Sequence, residues 1–238
     1  IPKPNGDNRP LGIPTLKDRV VQEMVRLLLE PIYESKFYRL SFGFRPFRST
    51  HHAAYELHWL INRHNYNIVV EGDIRKCFDR IQHNILLKIL RRTIKDERVI
   101  HLVRQMLKAG VMEDDAWHIS DDGTPQGGIV SPLLANIYLN ELDWYIAAKW
   151  DLLKDYEKAK RRRSNTACPM YIVRYADDFV IAIKGNADMG EAVKQDVAAY
   201  LKRELGLDLS AEKTLVSPVE SGFDFLSFNI RRYKRTAL

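Results

Sequence analysis

Two neighbouring carboxylates sit inside an apolar stretch, where Arg174-Tyr-Ala-Asp-Asp178 separates Tyr171-Ile-Val from Phe179-Val-Ile-Ala-Ile183. Adjacent acids between strand-forming residues repel each other and resist burial, so they need either water or a positive partner. One reading is a polar hairpin tip in solvent. The other is a cation site, and a second acidic strand end bears on the choice. Asp73 closes the run Ile68-Val-Val-Glu-Gly-Asp73. If that strand pairs with the 171–183 hairpin, Asp73 and Asp177 meet at one sheet edge. Two or three convergent carboxylates make a hard, oxygen-rich donor set of the kind that takes Mg²⁺. Two such ions can activate a 3′-hydroxyl and stabilise a leaving pyrophosphate. The protein then contributes placement and charge rather than covalent chemistry.

The elements that must position these acids are legible in outline. Ile1 to Pro14 reads as extended chain and turn. A helix follows, with Asp18 as N-cap, Val20/Val21, Met24/Val25 and Leu28 at helical spacing, and Pro31 as its end or kink. Leu40 to Ser49 is irregular and basic. Ser49 or Thr50 caps a second helix through Ala53, Ala54, Leu57 and Leu60. Asn67 to Asp73 is a strand. Helices are expected through Leu86, Leu87 and Leu90 and from about Asp96 to Leu107. A short hairpin is expected over Met112 to Ser120, around Asp114-Asp115. Gly123 to Gly128 is a loop, and a long helix opens at Ser131-Pro132. The basic run Lys158 to Arg163 reads as an exposed connection. Strands follow at Tyr171 to Ala176 and Phe179 to Ile183, then a helix from about Met189 to Leu205. Strands near Leu207 to Leu209, Thr214 to Ser217 and Phe223 to Ile230 finish the chain. The tight hairpin at Asp177-Asp178 forces antiparallel neighbours, which makes the fold class α+β rather than a doubly wound parallel sheet.

The chain has 238 residues, enough for one large domain or two small ones. A net charge of +6 suits a polyanionic partner. Cys77 and Cys168 are its two cysteines, with no zinc-type spacing, and their scarcity suggests a reducing, intracellular compartment, cytoplasmic, bacterial or organellar. No apolar run is long enough for a membrane span. The opening Ile1-Pro2-Lys3-Pro4 lacks a Met, as a fragment would.

Seven motifs now form a recognisable series. Tyr175-Ala-Asp-Asp178 resembles the Tyr-x-Asp-Asp box of reverse transcriptases, and Asp73-Ile-Arg-Lys-Cys-Phe78 resembles their first catalytic aspartate motif. Pro125-Gln-Gly-Gly128, with Ile-Val-Ser-Pro-Leu-Leu-Ala-Asn-Ile-Tyr-Leu139 behind it, is similar to the group II intron version of the template and nucleotide loop. Arg9-Pro-Leu-Gly-Ile-Pro14, Ser41-Phe-Gly-Phe-Arg-Pro46, Leu209-Ser-Ala-Glu-Lys-Thr214 and Phe225-Leu-Ser-Phe228 match in order. Two positions depart from the pattern. Phe47 stands where many relatives have Gly, and Ser227 replaces the usual Gly of the Phe-Leu-Gly box that helps hold the primer.

The resemblance implies a right-hand polymerase, one reverse transcriptase domain over 1–238. Fingers would lie at about 1–50 and 84–124, and a palm at about 51–83 and 125–238, with an antiparallel palm sheet packed on helices. The helical thumb that normally follows is absent from these 238 residues. The fragment alone is therefore expected to bind RNA yet polymerise poorly. The resemblance also implies roles. Asp73, Asp177 and Asp178 are the catalytic carboxylates, and two Mg²⁺ ions per site are held by Asp73, Asp177 and the Ile74 carbonyl, with Asp178 supporting. Lys3 and Arg9 grip the triphosphate. Phe78 excludes a 2′-hydroxyl, Gln126 contacts the incoming nucleotide, and Lys213 is a proton donor to pyrophosphate or else a solvated lysine. Lys158, Arg161, Arg162 and Arg163 offer an RNA-binding surface. The implied partners are group II intron RNA, an RNA template, a DNA primer and deoxynucleoside triphosphates, without a membrane; homo-oligomerisation stays open. Three other readings remain beside RNA-directed DNA synthesis with a maturase role in splicing and retrohoming. They are a viral-type RNA polymerase, with Asp79 as a second sugar-reading acid, an RNA-binding maturase without catalysis, and a retron or diversity-generating-element enzyme.

Overall fold

The computed structural model describes residues 12–233, apart from 110, 114–115, 119–121 and 125–126. In chain order the elements are α1 (Leu16–Glu34), α2 (Thr50–His64), β1 (Ile68–Asp73), a 3₁₀ turn (Phe78–Arg80), α3 (His83–Thr93), α4 (Glu97–Leu107), β2 (Val111–Glu113), β3 (Ala116–His118), α5 (Ser131–Lys149), α6 (Asp155–Arg163), β4 (Met170–Tyr175), β5 (Asp178–Ile183), α7 (Ala187–Leu205), β6 (Leu215–Pro218), β7 (Phe223–Phe225) and β8 (Phe228–Ile230). They fall into two compact units. One comprises Ile1–Phe37, Lys76–Tyr138 and Leu205–Leu207; the other comprises Tyr38–Arg75, Leu139–Glu204 and Asp208–Leu238.

The second unit is built on a four-stranded antiparallel sheet in the order β4-β5-β1-β6. β1 can lie centrally because Ile68, Val69 and Val70 are all buried and pair on both sides. Gly72 continues this strand without a side chain, because a Cβ there would stand 2.1 Å from the Phe179 ring. Helix α2 packs on β4 and β5 through a face that includes Ala53, Leu57 and Leu60. The part of α5 from Leu139 on meets α7 through stacked Tyr145 and Tyr200 rings, 3.7 Å apart. Asp196 of α7 takes a hydrogen bond from Tyr145 and an ion pair from Lys149. Interleaved helices and an antiparallel sheet give the expected α+β class.

The first unit packs α1 and α3 against α4, with Leu29, Leu86, Leu90, Ile100 and Val103 buried. The Tyr33 hydroxyl donates to the Leu90 carbonyl, and Gln22 of α1 accepts from the Ile129 N–H at 2.7 Å.

Several local expectations need correction. The cap of α1 is Thr15, three residues before Asp18; its hydroxyl accepts from the Asp18 N–H and donates to the Asp18 carboxylate. Pro31 does not end α1, which continues to Glu34. Pro31 and Leu27 both face solvent, so water can satisfy the carbonyl that Pro31 leaves without a donor. Lys158 to Arg163 belong to a helix rather than a connection. Glu157 reaches back to the Lys154 N–H, and acids in the first turn with bases in the last complement the helix dipole. Phe223 to Ile230 is a hairpin, not one strand, because Leu226 and Ser227 both take positive φ as a tight I′-type turn requires. Leu207 to Leu209 contributes a single bridge, Leu209 to Ile74. Among the described residues, no helix is long and apolar enough to cross a membrane.

Candidate active site

The acidic strand ends meet. Asp73 is the register partner of Asp178, at one end of the central pair β1 and β5. Tyr175 also pairs with Asp178, so Ala176 and Asp177 alone make the turn between β4 and β5. Ala176 has φ +57° and is almost fully buried, a conformation that L residues resist. Arg174 and Gly43 hold it there. The Arg174 guanidinium, wholly buried, donates to the Ala176 carbonyl at 2.7 Å. The same group makes a bidentate pair with Asp143 of α5, Nε–Oδ1 2.8 Å and Nη2–Oδ2 2.7 Å, and bonds the Ser41 hydroxyl at 2.9 Å. The backbone of 40–42 runs beside Arg174, with Phe42 N–H to Arg174 O at 2.8 Å and Arg174 N–H to Leu40 O at 3.0 Å. Gly43 then lies against the turn, where an added Cβ would sit 2.2 Å from the Ala176 nitrogen. The Ser-Phe-Gly stretch is thus the outer brace of the acidic hairpin.

The segment Leu209 to Thr214 is strapped to the other side. Arg75 N–H donates to Asp208 O at 2.9 Å and Ser210 N–H to Asp73 O at 2.8 Å. Neither bond uses the Ile74 carbonyl. The turn that follows carries the Lys213 ammonium to 3.5 Å from Asp73 Oδ2. Its charge acts on Asp73 and on Asp178. Loss of hydration, then repulsion from Asp177 and Asp73, raises the Asp178 carboxyl to about 6 against a partial offset from Lys213. Asp178 as a residue is exposed, so partial rather than complete dehydration accounts for the first cause.

A divalent cation fits this donor chemistry, three hard carboxylates gathered at one end of the sheet. The acids are not a closed chelate as they stand: among the described residues, no group of three His, Cys, Asp or Glu side chains is arranged to hold a metal.

The raised carboxyl has a consequence for stability. Between the ordinary value near 3.8 and about 6, the native chain binds more protons at Asp178 than the unfolded chain does. Stability therefore falls as pH rises through that window, and the loss is complete above it. In metal-free buffer, Asp178→Asn is expected to raise the melting temperature at pH 7.5 relative to the parent and to leave it unchanged at pH 4. A difference independent of pH would refute this assignment.

Other site residues divide between described and undescribed segments. Lys3, Arg9 and Gln126 lie outside the described residues. Phe78 is half-buried in the first unit, and its carbonyl accepts from Thr124 N–H at 2.8 Å. Gly123 N–H bonds Ile81 O, so Gly123 and Thr124 are pinned to the Phe78 turn. In α6, Lys158 donates to Asp151 O, Arg161 donates to Lys149 O, and Arg162 lies 5.4 Å over the Trp150 ring; Arg161 to Arg163 remain exposed. The sequence reading missed Asp143. Its only signal was an acid adjoining the buried Leu142 and Ile146 of α5, matched by an arginine between strand residues.

The chain matches the reverse transcriptase (RNA-dependent DNA polymerase) family over residues 1–230. It is 38% identical over 249 residues to protein YkfC of Escherichia coli, covering 98% of this chain and 65% of that protein. It is 36% identical over 267 residues to the group II intron-encoded protein LtrA of Lactococcus lactis subsp. cremoris, covering 94% of this chain and 44% of LtrA. The chain thus spans less than two thirds of either relative. Among solved structures, apo telomerase from Candida tropicalis truncated from its C-terminal domain superposes with a TM-score of 0.63 at 17% identity, over 89% of this chain and 43% of that one, which is a likeness of fold. The family match spans all seven motifs: the chain belongs to the reverse transcriptase family.

Proposed function

We propose that this chain carries the nucleotidyl-transfer centre of an RNA-directed DNA polymerase whose full-length protein also binds group II intron RNA as a splicing and homing maturase. The observation that carries the reading is the register of Asp73 against Asp178 beside Asp177, with Lys213 over Asp73. Asp73 and Asp177, with the Ile74 carbonyl, would hold Mg²⁺, and Asp178 would hold the charge balance. Two Mg²⁺ ions, when bound, would supply Lewis-acid activation of the primer 3′-hydroxyl and neutralise charge on the triphosphate. Lys213 would exchange its Asp73 partner for pyrophosphate and donate a proton there. Lys3 and Arg9 would hold the triphosphate, Gln126 the incoming nucleotide, and the exposed Arg161 to Arg163 the intron RNA. Residues 1–50 and 84–124 would act as fingers and the remainder as palm. Primer extension with deoxynucleoside triphosphates on an RNA template, by the full-length protein, tests the reading; no extension in Mg²⁺ with intact RNA binding would favour a maturase without catalysis.

Phe78 gives a sharper test. An aromatic ring beside the nucleotide sugar leaves no room for a 2′-hydroxyl, so Phe78→Val should let ribonucleotides compete better. The expected change in the ratio of kcat/KM for deoxyribonucleotide over ribonucleotide is about tenfold or more, the effect of a lost steric contact of one to three kcal/mol. An unchanged ratio would return Phe78 to a packing role.

A further inference from the structure

The turn Arg45-Pro-Phe-Arg48 carries a side chain that its own geometry disfavours. Arg48 N–H reaches the Arg45 carbonyl at 3.4 Å, Pro46 occupies the second position, and Phe47 in the third has φ +60°. This is the pattern of a type II turn, whose third position calls for Gly or Asn. Phe47 gains nothing from the chain's own packing in return. Its ring is fully exposed, and among the described residues none gives it a ring contact.

The turn beneath that ring is nevertheless firmly anchored. The buried Arg45 guanidinium donates to Tyr38 O at 2.9 Å and Ser41 O at 2.7 Å. Arg48 donates to Arg39 O at 2.6 Å and lies 5.3 Å over the Phe42 ring. Ser41 and Gly43 are themselves braced against Arg174 and Ala176. Phe47 therefore stands on an anchored turn braced to the acidic hairpin, not on a slack loop. Arg45 and Arg48 flank it in sequence, and residues 39–55 contain no acid, while Arg39 is paired with Asp151.

An exposed aromatic among arginines matches the chemistry of a nucleotide, a planar base beside a phosphate. We propose that Phe47 is a stacking platform for an unpaired base of single-stranded RNA held near the acidic hairpin, with Arg48 supplying charge to its phosphate. This rests on the reading that the chain handles RNA.

The test uses Phe47→Gly, which suits the turn and removes only the ring, and Phe47→Trp, which restores a stacking surface. The probes are a single-stranded RNA containing 2-aminopurine and a blunt RNA duplex of equal length. Phe47→Gly should bind the single strand about fivefold or more weakly and lose the quenching of 2-aminopurine. It should bind the duplex as the parent does, because paired bases offer no free face. Phe47→Trp should keep affinity and quenching, and the melting temperature of Phe47→Gly should equal or exceed the parent's. Equal single-strand affinity and quenching in Phe47→Gly would overturn the proposal and leave the ring to a protein contact. If the parent itself binds no RNA, this inference and the functional reading fall together.

Discussion

Asp177→Asn is expected to lower the rate of primer extension in Mg²⁺ roughly 10³-fold, the scale on which loss of one electrostatic contact at a reacting phosphate acts. The residue lies in a two-residue turn beside Asp178, whose own carboxyl already feels its charge. Replacing it with a neutral isostere takes an anionic oxygen from the donor set while sparing the turn. RNA affinity should change by no more than about twofold, since phosphate binding depends on Lys and Arg. Single-turnover extension and RNA binding, measured on the same preparation, separate the two effects. Near-normal extension by the variant would show that the reacting site lies elsewhere.

Substitutions at Asp143 should have the largest effect on stability. Asp143 and Arg174 are wholly buried and bidentate, so Asp143→Leu leaves a guanidinium without its counterion in a dry interior. Breaking such a pair from one side costs about 3–5 kcal/mol, which at this chain length lowers the melting temperature by roughly 6–20 °C. Adding Arg174→Met to Asp143→Leu should recover most of that loss, because an apolar pair of similar volume needs no charge balance. Activity should not recover. The double variant still lacks the hydrogen bond from Arg174 to the Ala176 carbonyl, so the turn can relax from its positive φ and shift Asp177. Thermal unfolding and extension assays on both variants check this. An Asp143→Leu protein that melts with the parent would contradict the buried-pair argument, and a fully active double variant would remove Arg174 from site positioning.

The acids were readable before the fold because each is marked locally, by an apolar run that stops at a carboxylate. Their meeting was only conditional on the Ile68–Asp73 strand pairing with the hairpin, and the register sets Asp73 opposite Asp178 rather than Asp177. What held them was not readable. Asp143 and Arg174 are 31 positions apart, Ser41 and Arg174 are 133 apart, and nothing in either local pattern says which faces meet. The basic run at 158–163 was mistaken for a connection because its charge density hid its helix signals: a Glu at the third helical position and a sign change along the dipole. The Leu226-Ser227 turn was missed for the opposite reason. Neither residue advertises positive φ, and tertiary contacts must impose it.

The order of strands in the sheet has a consequence for how the chain is made. β1 has β5 and β6 as its two neighbours, and both are synthesised later, β5 by about a hundred residues. During translation, Ile68-Val-Val70 must therefore wait with both hydrogen-bonding edges open, an apolar strand with no partner yet in existence. Such a segment pairs readily with copies of itself on neighbouring ribosomes. Glu71 and Asp73, which follow it directly, keep like charges on those copies and oppose that pairing until the second half of the sheet arrives. The acid proposed here as a metal ligand thus also guards the nascent strand.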